Sequence, residues 1–487
     1  MNKELNPGTL FFEYWNTLSK IKASRIRNVM RPESQQFKAS VVDALHLSDG
    51  PSAYARISEL VAGSEEGKEY GRMLVVMNLI DDFFYSIHPR SLFLPGSEQK
   101  EMGLNHWLTK LQMYRLNKGY YYESDNRILI PRGPLTRAAR AVTTSCAEVF
   151  RDRFLSLSVC DKISKFNDVP VKIEICPIGL SRQDGVSGAA QPVETVRFIP
   201  VGTKAEHIEV RQECRNGQDF VSFDLPDGEH VKRCIQNSIE CKDSTADFIM
   251  APEFMVTEQL ADELSDIIYS TPGNYRIFLA GTGATVDKEE DQSWNEARVF
   301  NCRGTTLWRQ RKIWQADLPL ARAEKLELTS ASGDLGTIME DNASGEVLVI
   351  ADIEDLGRCV IFICQDIKAS PLANYVVENF QPDWVFVPIL DFGVDVGRWS
   401  HDRCYGLSGD SPARYLVLTS LSLSEKVGEK DLNCALAVGP KSSDGEKINR
   451  ALALRKLTAG NDFIDLHWND VKDQTTMIAT TKKTAAT

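Results

Sequence analysis

GRCVIFICQD, residues 357–366, holds an unbroken apolar run from Cys359 to Cys364 and then turns polar at Gln365-Asp366. A short run of this kind, rich in Val and Ile, reads as a strand buried on both faces. Such strands belong to sheets covered by other layers. The residue at which the run ends is a thiol, Cys364. Open α/β sheets present reactive groups at strand ends, ahead of a loop and helix. Here Ser370-Pro371 opens a helix through Phe380, with Ser as cap and Pro in the first turn.

Outward from this strand the same texture repeats. ADFIMAPE (246–253), YRIFLAGT (275–282), DWVFVPI (383–389), RYLVLTSLS (414–422), CALAVGP (434–440) and FIDLHW (463–468) read as strands. ARVFNCRGTTLWRQRKIW (297–314) reads as two strands joined at Arg303-Gly304. Thr257 can cap a helix through Ile268 that puts Leu260, Leu264 and Ile267 on one face. Strands alternating with helices imply a layered α/β domain.

Three strand ends carry chemistry: Glu253 after Ala-Pro, Lys312 in RKIW, and Cys364. Together they are a base, a cation and a nucleophile, the set needed for covalent attack on a carbonyl or nitrile carbon. Singly, each has a plainer reading: a core cysteine, a loop carboxylate, a solvated edge lysine. Cys359, inside the same strand, keeps the core reading.

The joint pattern resembles the nitrilase, or carbon–nitrogen hydrolase, superfamily over about residues 171–470. The matching pieces are Pro252-Glu253, the strand pair ending Arg311-Lys312, and Cys364-Gln365-Asp366, with Asn295, Arg298 and Gly304 in the strand pair. The resemblance implies an α-β-β-α sandwich. It implies hydrolysis of an amide or N-carbamoyl group, with a nitrile third, through a Cys thioester and a Glu253–Lys312–Cys364 triad. It requires no cofactor or metal, and it implies a homo-oligomer. A second glutamate should support the lysine; Glu327 fits the spacing best, with Glu324 the alternative. Gln365 and Asp366 are further supporting residues. The sequence departs from the pattern in three places. Residues 181–228 look inserted. Gln365 stands where aromatic residues are common. Arg403 and Arg414 lie near a missing Arg-Ala-x-Glu.

Residues 1–165 read as a mainly helical domain, ahead of the hydrolase-like domain over 166–470. Segments 10–30, 52–62, 70–88 and 135–158 have apolar residues three and four apart. Its expected role is interaction or regulation, with the Tyr/Trp/Arg-bearing stretch 106–123 as contact surface. Asp81-Asp82 in LIDDFF reads as a helix-surface pair. GTGATV (281–286) lacks the third glycine of a dinucleotide fingerprint. Residues 471–487 have no apolar face and read as a disordered tail.

The chain has 487 residues, a net charge of −12 and 25% charged residues. That is a globular composition, and its sign disfavours nucleic acid as a partner. No apolar run spans a membrane. Eleven cysteines without a CxxC pair, and seven histidines without metal-type spacing, fit reduced thiols in the cytoplasm and no metal. The competing class is an interaction or defence-type protein in which the hydrolase-like domain is a scaffold or a partner-gated effector.

Overall fold

The computed structural model describes residues 4–21, 33–63, 68–88, 105–133, 150–179, 195–241, 246–271, 273, 275–287, 292–329, 337–353, 356–409, 411, 413–440, 450–468 and 471–473. The chain opens with helices α1 (Pro7–Leu18), α2 (Gln35–Leu45), α3 (Gly50–Ala62), α4 (Glu69–Phe84) and α5 (His106–Lys118). Strands β1 (Tyr122–Ser124), β2 (Arg127–Pro131) and β3 (Leu157–Asp161) follow as a three-stranded sheet. Asn6 caps α1, its side chain accepting from the Thr9 N–H at 3.1 Å. Phe11, Trp15, Val41, Ile57, Met77, Ile80, Trp107 and Phe154 form one core among these elements.

Two expectations for this part are corrected. Residues 135–149 lie outside the described residues, but 157–161 is a strand rather than the end of a helix. The hairpin β1–β2 turns on Asp125, whose φ of +54° is the left-handed conformation that Asp tolerates in turns. Asp81 is also not on the surface. Its buried carboxylate accepts backbone N–H bonds from Leu155 (2.6 Å), Ser156 (2.9 Å) and Leu157 (2.8 Å). A helical period assigns a face; it cannot reveal a loop that covers that face.

The larger part begins with β4 (Ile163–Phe166), β5 (Val169–Ile178), β6 (Thr195–Phe198), β7 (Glu209–Arg215), β8 (Gln218–Asp224), α6 (Gly228–Glu240) and β9 (Phe248–Met250). Next come α7 (Glu258–Ser270), β10 (Ile277–Asp287), β11 (Gln292–Asn301), β12 (Thr306–Arg311), β13 (Asp317–Leu318), α8 (Leu320–Lys325), β14 (Ile338–Glu340), β15 (Val347–Ile353) and β16 (Gly357–Ile361). A 3-10 turn over Cys364–Lys368 leads into α9 (Leu372–Asn379), β17 (Trp384–Ile389), α10 (Trp399–Leu407), β18 (Arg414–Thr419), β19 (Ala435–Pro440), β20 (Arg450–Arg455), β21 (Ile464–His467) and β22 (Lys472–Asp473).

The strands make two large sheets, in the order β12-β11-β10-β9-β6-β21 and β22-β20-β19-β18-β17-β16-β15-β5-β4. One core joins them: Phe248 of the first packs edge-on against Trp384 (4.7 Å) and Phe386 (5.2 Å) of the second. On its other face the six-stranded sheet meets α6 and α7 through Ile249, Phe278, Phe300, Ile235 and Leu264. Leu372, Val376 and Val377 of α9 and Leu407 of α10 pack with the nine-stranded sheet. This is a mixed α/β fold. The helix at Ser370-Pro371 starts one residue later than expected, at Leu372, with Pro371 as its cap and no side-chain cap bond.

The stretch read as inserted at 181–228 is only partly extra. Residues 181–194 lie outside the described residues. β6 is an internal strand of the six-stranded sheet, between β9 and β21. The hairpin β7–β8 goes instead to a four-stranded sheet, β13-β14-β8-β7, in which β8 runs parallel to β14. Of the expected tail, Lys472–Asp473 pair with β20; residues 474–487 lie outside the described residues. In the stretch 106–123, Trp107, Leu108 and Leu111 are buried, while Met113 and Leu116 are exposed. Gly119 ends α5 at φ +81°, where a Cβ would run into Ile175 of β5.

The N-terminal elements reach the larger part where α5 packs against β5 and around the end of α9. Arg132 Nε donates to Gln381 (2.7 Å), and Arg151 pairs with Glu378 (2.9 Å) and donates to Asn379 (3.1 Å). Arg358 Nη2 donates to the Pro131 carbonyl at 3.0 Å. Among the described residues no helix is long and apolar enough to cross a membrane.

Candidate active site

Glu253 sits three residues beyond β9, in a loop held by the glycines of GTGATV. Thr282 N–H donates to the Pro252 carbonyl (3.2 Å), Val256 N–H to the Thr282 carbonyl (3.1 Å), and Phe254 N–H to Thr282 Oγ1 (3.1 Å). A Cβ at Gly281 or Gly283 would run into the carbonyls of Pro252 and Val256 respectively, and Gly281 has φ +80°. The motif thus brings β10 against the loop that carries the carboxylate. Gly283→Ala is expected to cost about 1–3 kcal/mol by forcing that loop away. The matching drop in urea midpoint is the measurement; a midpoint equal to wild type would show that the loop can move freely.

The carboxylate itself is fixed on both oxygens. Oε1 accepts from Lys312 Nζ (2.8 Å) and Asn295 Nδ2 (2.9 Å), and Oε2 accepts from the Leu390 N–H (2.8 Å). Lys312 follows β12 directly. Its backbone N–H donates to the Asn295 carbonyl (2.8 Å), continuing the β11–β12 ladder and turning the side chain inward. Lys312 is fully buried, at 0% exposure.

The ammonium has a second carboxylate partner. Glu340, at the end of β14, receives it on both oxygens, at 2.8 and 2.6 Å. The glutamate paired with the lysine is thus Glu340, neither residue expected from spacing. Glu327 and Glu324 are both exposed, near the end of α8. The sequence signal for Glu340 was faint: one acid closing the short run Ile338-Met339, 28 residues after the lysine. Its strand is held by β8, which lies in the stretch read as inserted.

Cys364 starts the 3-10 turn after β16 with φ +49°, a left-handed conformation unusual for a residue with a side chain. Asp366, buried at 0%, ties this turn to the lysine segment. It accepts from the N–H groups of Ile313 (3.1 Å), Trp314 (2.7 Å) and Ile363 (3.3 Å). Burial pushes Asp366 up to about 7, against the pull of Lys312 and of those N–H donors. Gln365 is half-buried and makes no side-chain hydrogen bond to another described residue. Arg403 of α10 braces the turn from outside, donating to the Ile367 carbonyl (2.8 Å) and Asn374 (2.6 Å). Arg414 instead lies over the rings of Trp384 and Trp468, away from the thiol.

The electrostatics follow from burial. Burial holds the Cys364 thiol well above its ordinary range; Glu253 and Glu340 add to this, and Lys312 pulls the other way. Burial alone would lower the Lys312 ammonium, but Glu253 and Glu340 outweigh it and hold it above its ordinary value. Burial raises Glu340, partly offset by Lys312 and reinforced by Glu253. The result is a neutral thiol beside a persistent cation and two carboxylates. A thiol in that state needs a base to become a nucleophile, and Glu253 is the carboxylate whose charge acts on it most.

No protein-family model matches the chain, and no curated protein sequence does. Solved structures that it resembles include nitrilase-superfamily proteins. Nit3 of Saccharomyces cerevisiae, a member of branch 10 of that superfamily, is 13% identical over 56% of this chain and 90% of its own, with a TM-score of 0.36. An amidase from Nesterenkonia sp. is 12% identical over 61% of this chain and 99% of its own, at 0.35. The C. elegans NitFhit protein is 11% identical over 56% and 61%, at 0.36. Scores this low leave the chemistry to be read from the site itself. Among the described residues, no group of three His, Cys, Asp or Glu is arranged to hold a metal ion.

Proposed function

We propose that the larger part, from about residue 166 to 470, is a nitrilase-type hydrolase of non-peptide carbon–nitrogen bonds. Its substrate class is a small amide or N-carbamoyl compound. The observation that carries this reading is one ammonium, buried at 0%, clamped between two carboxylates whose charges all act on a thiol at a strained strand end. Cys364 gives its proton to Glu253 and the thiolate attacks the carbonyl carbon. Lys312 and the N–H of Gln365 hold the negative oxygen that forms. Glu253 returns the proton to the departing ammonia or amine, leaving a thioester. Glu253 then takes a proton from water, the hydroxide attacks the thioester, and the acid leaves as the thiol is regenerated. Glu340 keeps Lys312 charged throughout.

Ammonia release from a panel of small amides tests the reading. Glu253→Gln should cut turnover about 10²–10⁴-fold, since it removes the general base. Wild-type turnover in that variant would remove Glu253 from the mechanism.

A second reading has its own support. α9 follows the proposed nucleophile turn, and its far end is gripped by Arg132 and Arg151 of the N-terminal elements. Residues 1–165 would then act as a module that gates the hydrolase or docks a protein partner. A homo-oligomer belongs to the same proposal. Light scattering of the full chain, with and without an Arg132→Ala substitution, reads the assembly side; Cys364 labelling rate reads the gating side.

A further inference from the structure

We propose that the chain carries a second small-molecule site, at the ends of β6 and β18, that takes an organic ammonium ion: a protonated primary amine on a short apolar body. The site stands apart from Glu253, Lys312 and Cys364 and does not depend on the reading of Cys364 as nucleophile.

A cavity of about 380 Å³ opens between the ends of β6 and β18, α6 and the loop joining β20 to β21. That volume is within the range of small-molecule sites. β6 runs parallel to β9, and β18 runs parallel to β17. Glu253 and Leu390 follow β9 and β17; Val201 and Leu421, which line the cavity, follow β6 and β18. The cavity is therefore the crevice one strand along from the candidate active site. It lies outside the carboxyl ends of parallel strands, where α/β sheets bind ligands. Its two walls are tied together, the Leu421 N–H donating to the Gly202 carbonyl at 2.9 Å.

The lining is of two kinds. Val201, Leu421 and Leu457 offer aliphatic surface. Thr203, His230, Cys234 and Asp462 offer polar groups, and neither lysine nor arginine lines the cavity. The Asp462 carboxylate is held in place but not neutralised. Its Oδ2 accepts from Asn237 Nδ2 (2.9 Å) and its Oδ1 from the Cys234 thiol (3.7 Å), both uncharged donors. Asp462 is half-buried, and residues 458–461 beside it are exposed, so a ligand can enter.

The other polar groups add no positive charge. Burial, and then Asp462, push the Cys234 thiol up to about 12, so it stays protonated and neutral. His230 donates from Nε2 to the Val201 carbonyl (3.0 Å), which leaves Nδ1 of the neutral ring as an acceptor. His207 stacks behind it, with ring centroids 3.9 Å apart. Burial, and then His230, hold His207 below its ordinary value. One anion, neutral hydrogen-bonding groups and an aliphatic wall complement an ammonium on a short apolar body; a carboxylate would meet no cation there.

Saturation-transfer NMR on the full chain tests this. The probes are n-butylammonium, neutral 1-butanol and anionic butyrate. Wild type should transfer saturation to n-butylammonium and not to butyrate. Asp462→Asn keeps the shape of the side chain and an acceptor for Asn237. It should raise the Kd for n-butylammonium about tenfold, the worth of one charge-assisted hydrogen bond, and leave transfer to 1-butanol unchanged. An n-butylammonium Kd equal in variant and wild type would mean that the cation merely follows the chain's net charge of −12, and would overturn the proposal. Absence of transfer to n-butylammonium in wild type overturns it as well. Should Asp462→Asn not fold, Thr203→Trp fills the cavity from a half-buried position and must abolish the transfer; undiminished transfer overturns the proposal equally.

Discussion

Cys364→Ala is expected to reduce amide turnover by about 10⁴-fold or more, the scale of removing a covalent nucleophile. The fold should survive. The change deletes one sulfur from a side chain 7% exposed, with the backbone already committed to φ +49°. A loss of about 1–2 kcal/mol is the order for such a truncation. Cys359→Ala is the control. Cys359 is wholly buried inside β16, and burial, then Asp383 and Asp352, hold its thiol well above the ordinary range. That variant should keep turnover and Cys364 labelling. Loss of turnover in both variants alike would point to a general packing defect rather than to a nucleophile.

The parts of the site that were legible in sequence share one physical property. Glu253, Lys312 and Cys364 each lie just past the end of a strand: β9 and β16 are buried throughout, while β12 alternates buried and exposed residues. Those strand ends are written in consecutive residues. Glu340 has no such mark. It reaches Lys312 because β14 pairs in parallel with β8, more than a hundred residues earlier in the chain, and a parallel pairing leaves no local trace. The same limit explains Asp81. Its helix was readable, but the three backbone N–H groups it receives come from residues 155–157. The glycines of GTGATV were visible as a motif. Their purpose, close approach of β10 to the Glu253 loop, depends on a strand pairing that spacing alone does not state.

Lys312→Met tests the inner electrostatics most severely, and its pH dependence has a definite sign. Methionine approximates the length of the lysine stem and carries no charge. Glu253 and Glu340, at 1% and 4% exposure, are then left without their cation. Breaking a buried ion pair by removing one partner costs about 3–5 kcal/mol. Glu340 can escape that cost only by taking up a proton. Burial already raises Glu340, with Lys312 opposing it; without Lys312 the folded-state value rises further above the unfolded one. Between those two values the folded state binds more protons than the unfolded state, so stability falls as pH rises. The variant should therefore lie closest to wild type in acid and lose ground steadily toward neutral and alkaline pH. Urea midpoints across pH 5 to about 8, a range in which unfolded glutamates are ionised, give the comparison. Turnover should drop about 10²–10³-fold as well, the scale of one lost oxyanion contact. Parallel stability curves for variant and wild type would mean that Lys312 does not hold Glu340 ionised in the folded protein, and the charge arrangement proposed for catalysis would go with it.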